Sequence, residues 1–352
     1  MGCKINLVNG NIITLDESCP SADTISLENG KISGINAIDH NHKSIDIQGA
    51  TVIPGFTDSH FHLTNLGKQL DTLQLKDCRS SHEVAEKVLK KSAKMSHNDW
   101  IIGFGWDHNK WHDSHFPKAD ILNSLPISQP IMLNRIDGHS AWVNQKAMEL
   151  SGLDVTPNPP DGGDIINDCI LIDNAMNPVQ FVMPKPDEST VEKWINLALK
   201  IIIPRGITNI HDAWQDPVTI KVLQQMSANG KLPIRVYGML GSSYPKLLKQ
   251  FFKEGFFNSE NYTIRSVKAF IDGALGSRGA ALLEPYSDDH SNCGLILITH
   301  DEFEKLVHRC KDAGFQLCTH AIGDRGNKMV LDIYSEFIKE LNNHRWSIEH
   351  AQ

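Results

Sequence analysis

Apolar and polar positions alternate with a period of two over the first fifty residues. Ile5-Asn6-Leu7-Val8 and Ile12-Ile13-Thr14-Leu15 flank a turn at Asn9-Gly10-Asn11, and Thr24-Ile25-Ser26-Leu27 and Ile32-Ser33-Gly34-Ile35 flank another at Glu28-Asn29-Gly30-Lys31. Asn-Gly between alternating runs predicts two β-hairpins and a small β unit over residues 1–51. A longer apolar run follows, Val52-Ile53-Pro54-Gly55-Phe56-Thr57-Asp58-Ser59-His60-Phe61-His62. It reads as the first strand of the main domain, residues 52–352.

From 64 to about 200 the pattern is irregular. Helices are predicted at 81–96, with Ser81 as N-cap, and at 140–151. Apolar segments lie at 100–107 and 130–139, and the Pro- and Gly-rich stretch 154–164 reads as a loop. After residue 190 the pattern becomes regular. Helices at 190–203, 217–229, 244–254, 301–313 and 324–341 each lead into a short apolar run, at 207–211, 234–240, 266–271, 315–320 and 346–350 in turn. Such alternation predicts right-handed βαβ units, a parallel sheet and an α/β fold.

Side chains two apart on a strand share a face, so His60 and His62 project together. In a parallel α/β sheet, functional residues gather at the C-terminal ends of the strands. His60, His62, Lys268, His320 and His350 all fall there, a set suited to a divalent metal. Plainer roles exist for single members. His320 could stay a loop residue, and Glu349-His350 could be an exposed pair. His211 also ends a strand but reads more as packing, and His108, His112 and His115 lie in a polar loop. Lys268 in an apolar strand must pair with acid, reach solvent or be modified, because a bare buried ammonium is strongly disfavoured. Carboxylation by CO2 would make it an anionic oxygen ligand.

Composition narrows the function classes. The chain has 352 residues, 40% hydrophobic and 22% charged, with net charge -8. This balance argues against a nucleic-acid-binding surface. Seven Cys with no CxxC suggest reduced thiols and a cytoplasmic setting. No apolar run reaches membrane-spanning length, so no membrane partner is expected. The glycine-rich stretch 273–279 fits neither a P-loop nor a dinucleotide fingerprint.

Six segments occur in order along nearly the whole chain. They are the 52–62 run, Gly105-Trp106-Asp107, Arg135-Ile136-Asp137-Gly138-His139, Val267-Lys268-Ala269-Phe270-Ile271-Asp272-Gly273, His320-Ala321-Ile322-Gly323-Asp324 and Ile348-Glu349-His350-Ala351-Gln352. Together they resemble the amidohydrolase superfamily, in the branch of metal-dependent hydrolases that includes N-substituted formamide deformylase (the amidohydrolase-3 group). The resemblance implies a (β/α)8 TIM-like barrel, a flanking β-sandwich begun by residues 1–51, and a long insertion at about 64–200. It makes His60 and His62 first-strand metal ligands and Lys268 a carboxylated fourth-strand ligand. His320 and His350 become the ligands of strands five and six, and Zn2+ is the metal. Trp106, Asp137 and His139 would cover the barrel mouth, and Arg278 would meet substrate. The implied reaction is hydrolysis of a non-peptide, amide-type C–N bond in a small molecule by a metal-activated water.

One feature departs from the family pattern. Gln352 lies two residues past His350, and about six of eight barrel strands are counted. The metal-bound aspartate expected on the eighth strand has no counterpart, so the catalytic base is left unassigned. The chain is read as a fragment of a longer protein, ahead of a chain completed by a partner or a nonfunctional remnant. The alternative is a barrel that binds metal or ligand without turnover, and a third reading is a metal-free α/β enzyme with packing histidines. A homo-oligomer is left open.

Overall fold

A computed structural model describes residues 4–112, 114–154, 159–160, 163–276, 278–338 and 344–352. Its centre is a curved parallel sheet built from β1 (Phe56–Phe61), β2 (Ile207–Gln215), β3 (Arg235–Gly241), β4 (Tyr262–Phe270), β5 (Gln316–Ala321) and β6 (Ser347–His350). The strands lie in consecutive order, each hydrogen-bonded to the next and parallel to it. Helix α1 (Leu63–Asp71) follows β1, and α2 (Glu188–Ile202) returns the chain to β2. The crossovers that follow are α3 (Pro217–Ala228), α4 (Pro245–Glu254), α5 (His300–Ala313) and α6 (Asp324–Ile338).

Local chemistry sets these helices. The Asp216 carboxylate accepts from Val218 N–H and Thr219 N–H, and Pro217 opens α3 with a preset φ. Thr299 and Glu302 form a reciprocal capping box on α5, and Gly314 ends that helix at φ +71°. The helices' apolar faces close over the outward side of the sheet. Val191, Ile195, Leu223, Phe303, Leu306 and Val330 pack with Ile210, Val236, Ile264, Val267 and Ala269 in one core. Because Val267 and Ala269 face the helices, Lys268 between them faces the barrel interior.

The insertion builds its own layer. Leu73–Gln74, Ile101–Trp106, Ile131–Arg135, Ser140–Val143, Ile170–Asp173 and Gly163–Ile166 form a second, mixed sheet with separate cores on its faces. The helix predicted at 140–151 is therefore half strand. Ser140–Val143 pairs with Ile131–Arg135, and the helix runs only over Gln145–Ser151, capped by Asn144. The first insertion helix spans Ser81–Ser92, and its cap is Ser80. Of the 154–164 stretch, 155–158 and 161–162 lie outside the described residues.

At the N-terminus only the second predicted hairpin forms. Ile25–Glu28 pairs antiparallel with Lys31–Ile35. Lys4–Val8 pairs with Ile25–Glu28 and Lys43–Asp46, whereas Asn11–Ile13 joins a different sheet with Ser21–Ala22 and Thr51–Val52. Asn9, at φ +56°, passes the chain between two sheets rather than folding it back. No helix among the described residues is long and apolar enough to cross a membrane.

Candidate metal centre at the barrel mouth

The site starts where β1 meets α1. His62 follows β1 and stands at the N-cap of α1, and its Nδ1 lies 2.8 Å from the Ala213 carbonyl, to which it donates. The next residue's amide, Leu63 N–H, donates to Asp212 Oδ1 at 2.8 Å. Both partners come from an irregularity in β2, where the register with β3 shifts between Asp212 and Gln215 and Trp214 adopts φ +68°. Such a bulge re-aims neighbouring groups. Asp212 is buried, and that burial pushes its carboxyl up to about 6, against hydrogen bonds from Gln215 Nε2 (2.7 Å) and Leu63 N–H. Tyr262 OH completes the chain by donating to Gln215 Oε1 at 2.6 Å.

Two further strands, β5 and β6, bring their histidines to the same end as β1. Ring centroids lie 5.3 Å apart for His60 and His62, 4.6 Å for His60 and His350, and 4.7 Å for His320 and His350. His350 joins the group because its backbone turns into the left-handed region at φ +74°. Burial pulls the pKa of His62, His320 and His350 below the ordinary histidine value. They are therefore held neutral, the form that offers a lone pair to a metal.

Lys268 is 0% exposed, its Nζ has no hydrogen-bond partner among the described residues, and it lies 4.5 Å from the Phe270 ring centroid. Burial drags its ammonium down to about 8, with Glu349 the main opposing charge. An orphaned buried amine beside neutral imidazoles is the donor chemistry a divalent metal and a carboxylated lysine would satisfy. The spacing is looser than a closed ligand set. Among the described residues, the only three His, Cys, Asp or Glu side chains with donor atoms all within 4.8 Å are His300, Asp301 and Glu304 on α5.

Two carboxylates here were not singled out from the sequence. Glu349 accepts from His60 Nδ1 through Oε2, while its Oε1 takes Ser347 OH at 2.9 Å. Burial works upward on its carboxyl, yet the bonds from His60 and Ser347 hold it below the ordinary value. Asp272 is buried and accepts from Ile322 N–H (2.9 Å), Gly323 N–H (2.8 Å) and Ala281 N–H (3.0 Å). Its Oδ1 lies 3.5 Å from His320 Nε2, which is also 3.4 Å from the Gly273 carbonyl. Asp272 extends the alternation of Lys268 and Phe270, which was the available signal.

The other expected site residues are engaged elsewhere. Trp106 is fully buried in the insertion's aromatic core beside Trp111, Trp142 and Phe116, and its indole donates to Leu133 O at 2.6 Å. It packs the layer: the register shift between Phe104 and Trp106, with Gly105 at φ +103°, turns Trp106 into the same core as Ile101. Asp137 pairs with Arg135, which also reaches Asp107 at 3.1 Å, and exposed His139 meets Asp173 at 2.9 Å. Arg278 forms a two-point pair with Asp288 at 3.2 and 2.7 Å. Among the described residues His211 makes no ring contact with the imidazole group; it lies 5.1 Å from the Tyr237 ring and lines a cavity of about 370 Å³ toward the strands' N-terminal ends.

Consecutive parallel strands with histidines and a buried lysine at their C-terminal ends define an amidohydrolase-type barrel. The family comparison agrees: the chain belongs to the Amidohydrolase family, whose model matches residues 43–352. It is 29% identical to Protein LONG AFTER FAR-RED 3 of Arabidopsis thaliana, over 98% of this chain and 64% of that protein. It is 21% identical to N-substituted formamide deformylase of Arthrobacter pascens, over 96% of this chain and 66% of the relative. The chain thus spans about two thirds of the length of these curated relatives. Among solved structures it resembles an uncharacterized metal-dependent hydrolase from Pyrococcus horikoshii, with TM-score 0.80 and 25% identity over 95% of this chain and 68% of that one.

Proposed function

We infer that this chain carries the metal-binding core of a hydrolase acting on non-peptide, amide-type C–N bonds of small molecules. The observation that carries the reading is Lys268: a buried amine without a partner, set among imidazoles held neutral. Family membership and the metal-dependent hydrolase among the structural relatives support it. A divalent metal, Zn2+ in this reading, would lower the pKa of a bound water and polarise the scissile carbonyl.

The chain's own residues prepare that chemistry. His60, His62, His320 and His350 present nitrogen donors, and Lys268 supplies the fifth position. With its pKa near 8, the Lys268 amine is neutral in a substantial fraction just above neutrality. The neutral amine attacks CO2, a nitrogen–carbon bond forms and a proton leaves, so the unpartnered cation becomes an anionic oxygen ligand. Asp272 pins the loop after β4 to the start of α6 and keeps His320 against the Gly273 carbonyl. The deformylase relative supplies the model substrate class, N-substituted formamides.

The test is zinc content of purified protein in bicarbonate buffer, with His60→Ala and Lys268→Ala beside it, followed by assay for release of acid from amide substrates. Stoichiometric zinc in the parent, falling below one equivalent in both variants, together with turnover, is expected. A folded chain that takes up no metal would overturn the reading. A second reading, binding without turnover, rests on Glu349 and Asp272 both being committed to structural partners; it predicts stoichiometric zinc and no acid release.

A further inference from the structure

Glu349 and His60 stand 289 residues apart, on the last and first strands of the sheet order. No ladder joins β1 to β6 among the described residues, so this side-chain contact is a bond across the seam. A regular strand would send Glu349 and His350 to opposite faces. Here Ser347 and Glu349 share the inner face, and the left-handed turn at His350 swings that imidazole over the mouth as well.

We propose that Glu349 is a positioning residue for the metal centre, acting through His60. The carboxylate accepts at Nδ1, which fixes the proton there and leaves Nε2 as the free donor. Carboxylate–imidazole pairs of this kind orient ligating histidines and raise their basicity. The geometry argues for positioning rather than ligation, since both carboxylate oxygens are already committed, Oε2 to His60 and Oε1 to Ser347. The half-buried carboxylate is also the charge nearest in effect to Lys268, so it compensates that ammonium until the lysine is modified. The same contact ties the two ends of the sheet at the level of the site, and so sets the distance between first-strand and last-strand ligands.

The inference rests on the metal-binding reading, and the experiment separates the two. Zinc affinity is measured by chelator competition, and the absorption spectrum of the Co2+ form is recorded, for the parent, Glu349→Gln, Glu349→Ala, His60→Ala and the Glu349→Ala/His60→Ala pair. Thermal unfolding verifies each fold. Gln can still accept from Nδ1–H, so it retains the parent's Co2+ spectrum and most of the affinity. Ala loses about 10–100-fold in affinity and shifts the spectrum. In the His60→Ala background the Glu349→Ala change adds nothing further, as a coupled pair requires. If the parent takes up no metal, both the metal reading and this inference fall. If it binds metal and Glu349→Ala matches the parent, or the Glu349 effect survives without His60, or Gln behaves like Ala, the positioning role alone falls. Should Glu349→Ala not fold, Glu349→Ser, too short to reach His60 Nδ1, takes its place in every comparison.

Discussion

Lys268 costs the metal-free fold stability, and in the proposed reading it is a metal ligand. Burial brings its pKa from 10.5 to about 8, so at pH 7 it is protonated in both folded and unfolded chains but disfavoured in the folded one. A shift of that size corresponds to roughly 3 kcal/mol of destabilisation in the metal-free protein, as an order of magnitude. The sign follows: between about pH 8 and 10.5 the unfolded chain holds more protons, so metal-free stability rises with pH there. Lys268→Met removes the charge at similar volume. In urea titrations at pH 7 without metal, the Met variant is expected to be more stable than the parent by on the order of 2–3 kcal/mol, while binding no zinc. Equal stability would mean that the ammonium reaches solvent or a partner after all. The position was legible in the sequence, because a lysine inside Val267-Lys268-Ala269-Phe270 has few structural roles. Glu349 was not legible. Strand parity places it opposite His350, and only the positive φ at His350 brings both inward.

At the scale of elements, the β2 irregularity does what no single side chain could. It turns Asp212 toward Leu63 N–H and the Ala213 carbonyl toward His62, joining the strand end that bears the HxH to its neighbour. A nine-residue strand running through Ile207-Thr208-Asn209-Ile210-His211-Asp212-Ala213-Trp214-Gln215 gives no local sign of a bulge, since neither Gly nor Pro marks it. The same element carries a pH signature. Asp212 sits at about 6 in the folded state against 3.8 in the unfolded chain, so the folded form retains its proton longer. Stability contributed here is greatest below the unfolded value, falls as pH rises from about 4 to 6, and stays lowered above that. Asp212→Asn keeps an acceptor for Leu63 N–H, and a turned Gln215 amide can still meet it. The variant should therefore gain on the parent as pH rises from 4 to 7.5, by about 3 kcal/mol at most. Urea midpoints of both proteins across that range test it; a constant difference would place the titration elsewhere. The hairpin expected at Asn9-Gly10-Asn11 failed for a related reason. An Asn in the left-handed region serves a sheet crossing as readily as a turn, and pairing partners 18 or more residues away decide between them.

At the scale of the molecule, the regular beat after residue 190 was readable because βαβ crossovers are right-handed and their elements long. The insertion was not readable: its strands are short, and their pairing joins segments about thirty residues apart. Among the described residues the central sheet leaves one edge of β1 and one of β6 without a ladder, joined near the mouth by the Glu349–His60 and His60–His350 contacts. β1 is the more exposed, with Phe56 at 54% and neighbouring Ile53 at 46%. An unpaired strand bearing apolar side chains is a template for another chain. This 352-residue chain is therefore expected to self-associate as concentration rises, through β1 rather than through the helix-covered face. Sedimentation velocity over a concentration series is the measurement, with Phe56→Lys and Lys221→Glu as the comparison. The lysine on the edge blunts strand addition and lowers the average mass, whereas the charge change on the exposed face of α3 leaves it as in the parent. Association that ignores Phe56→Lys would locate the contact on another surface, and the β1 ladder would then have to be covered within the single chain.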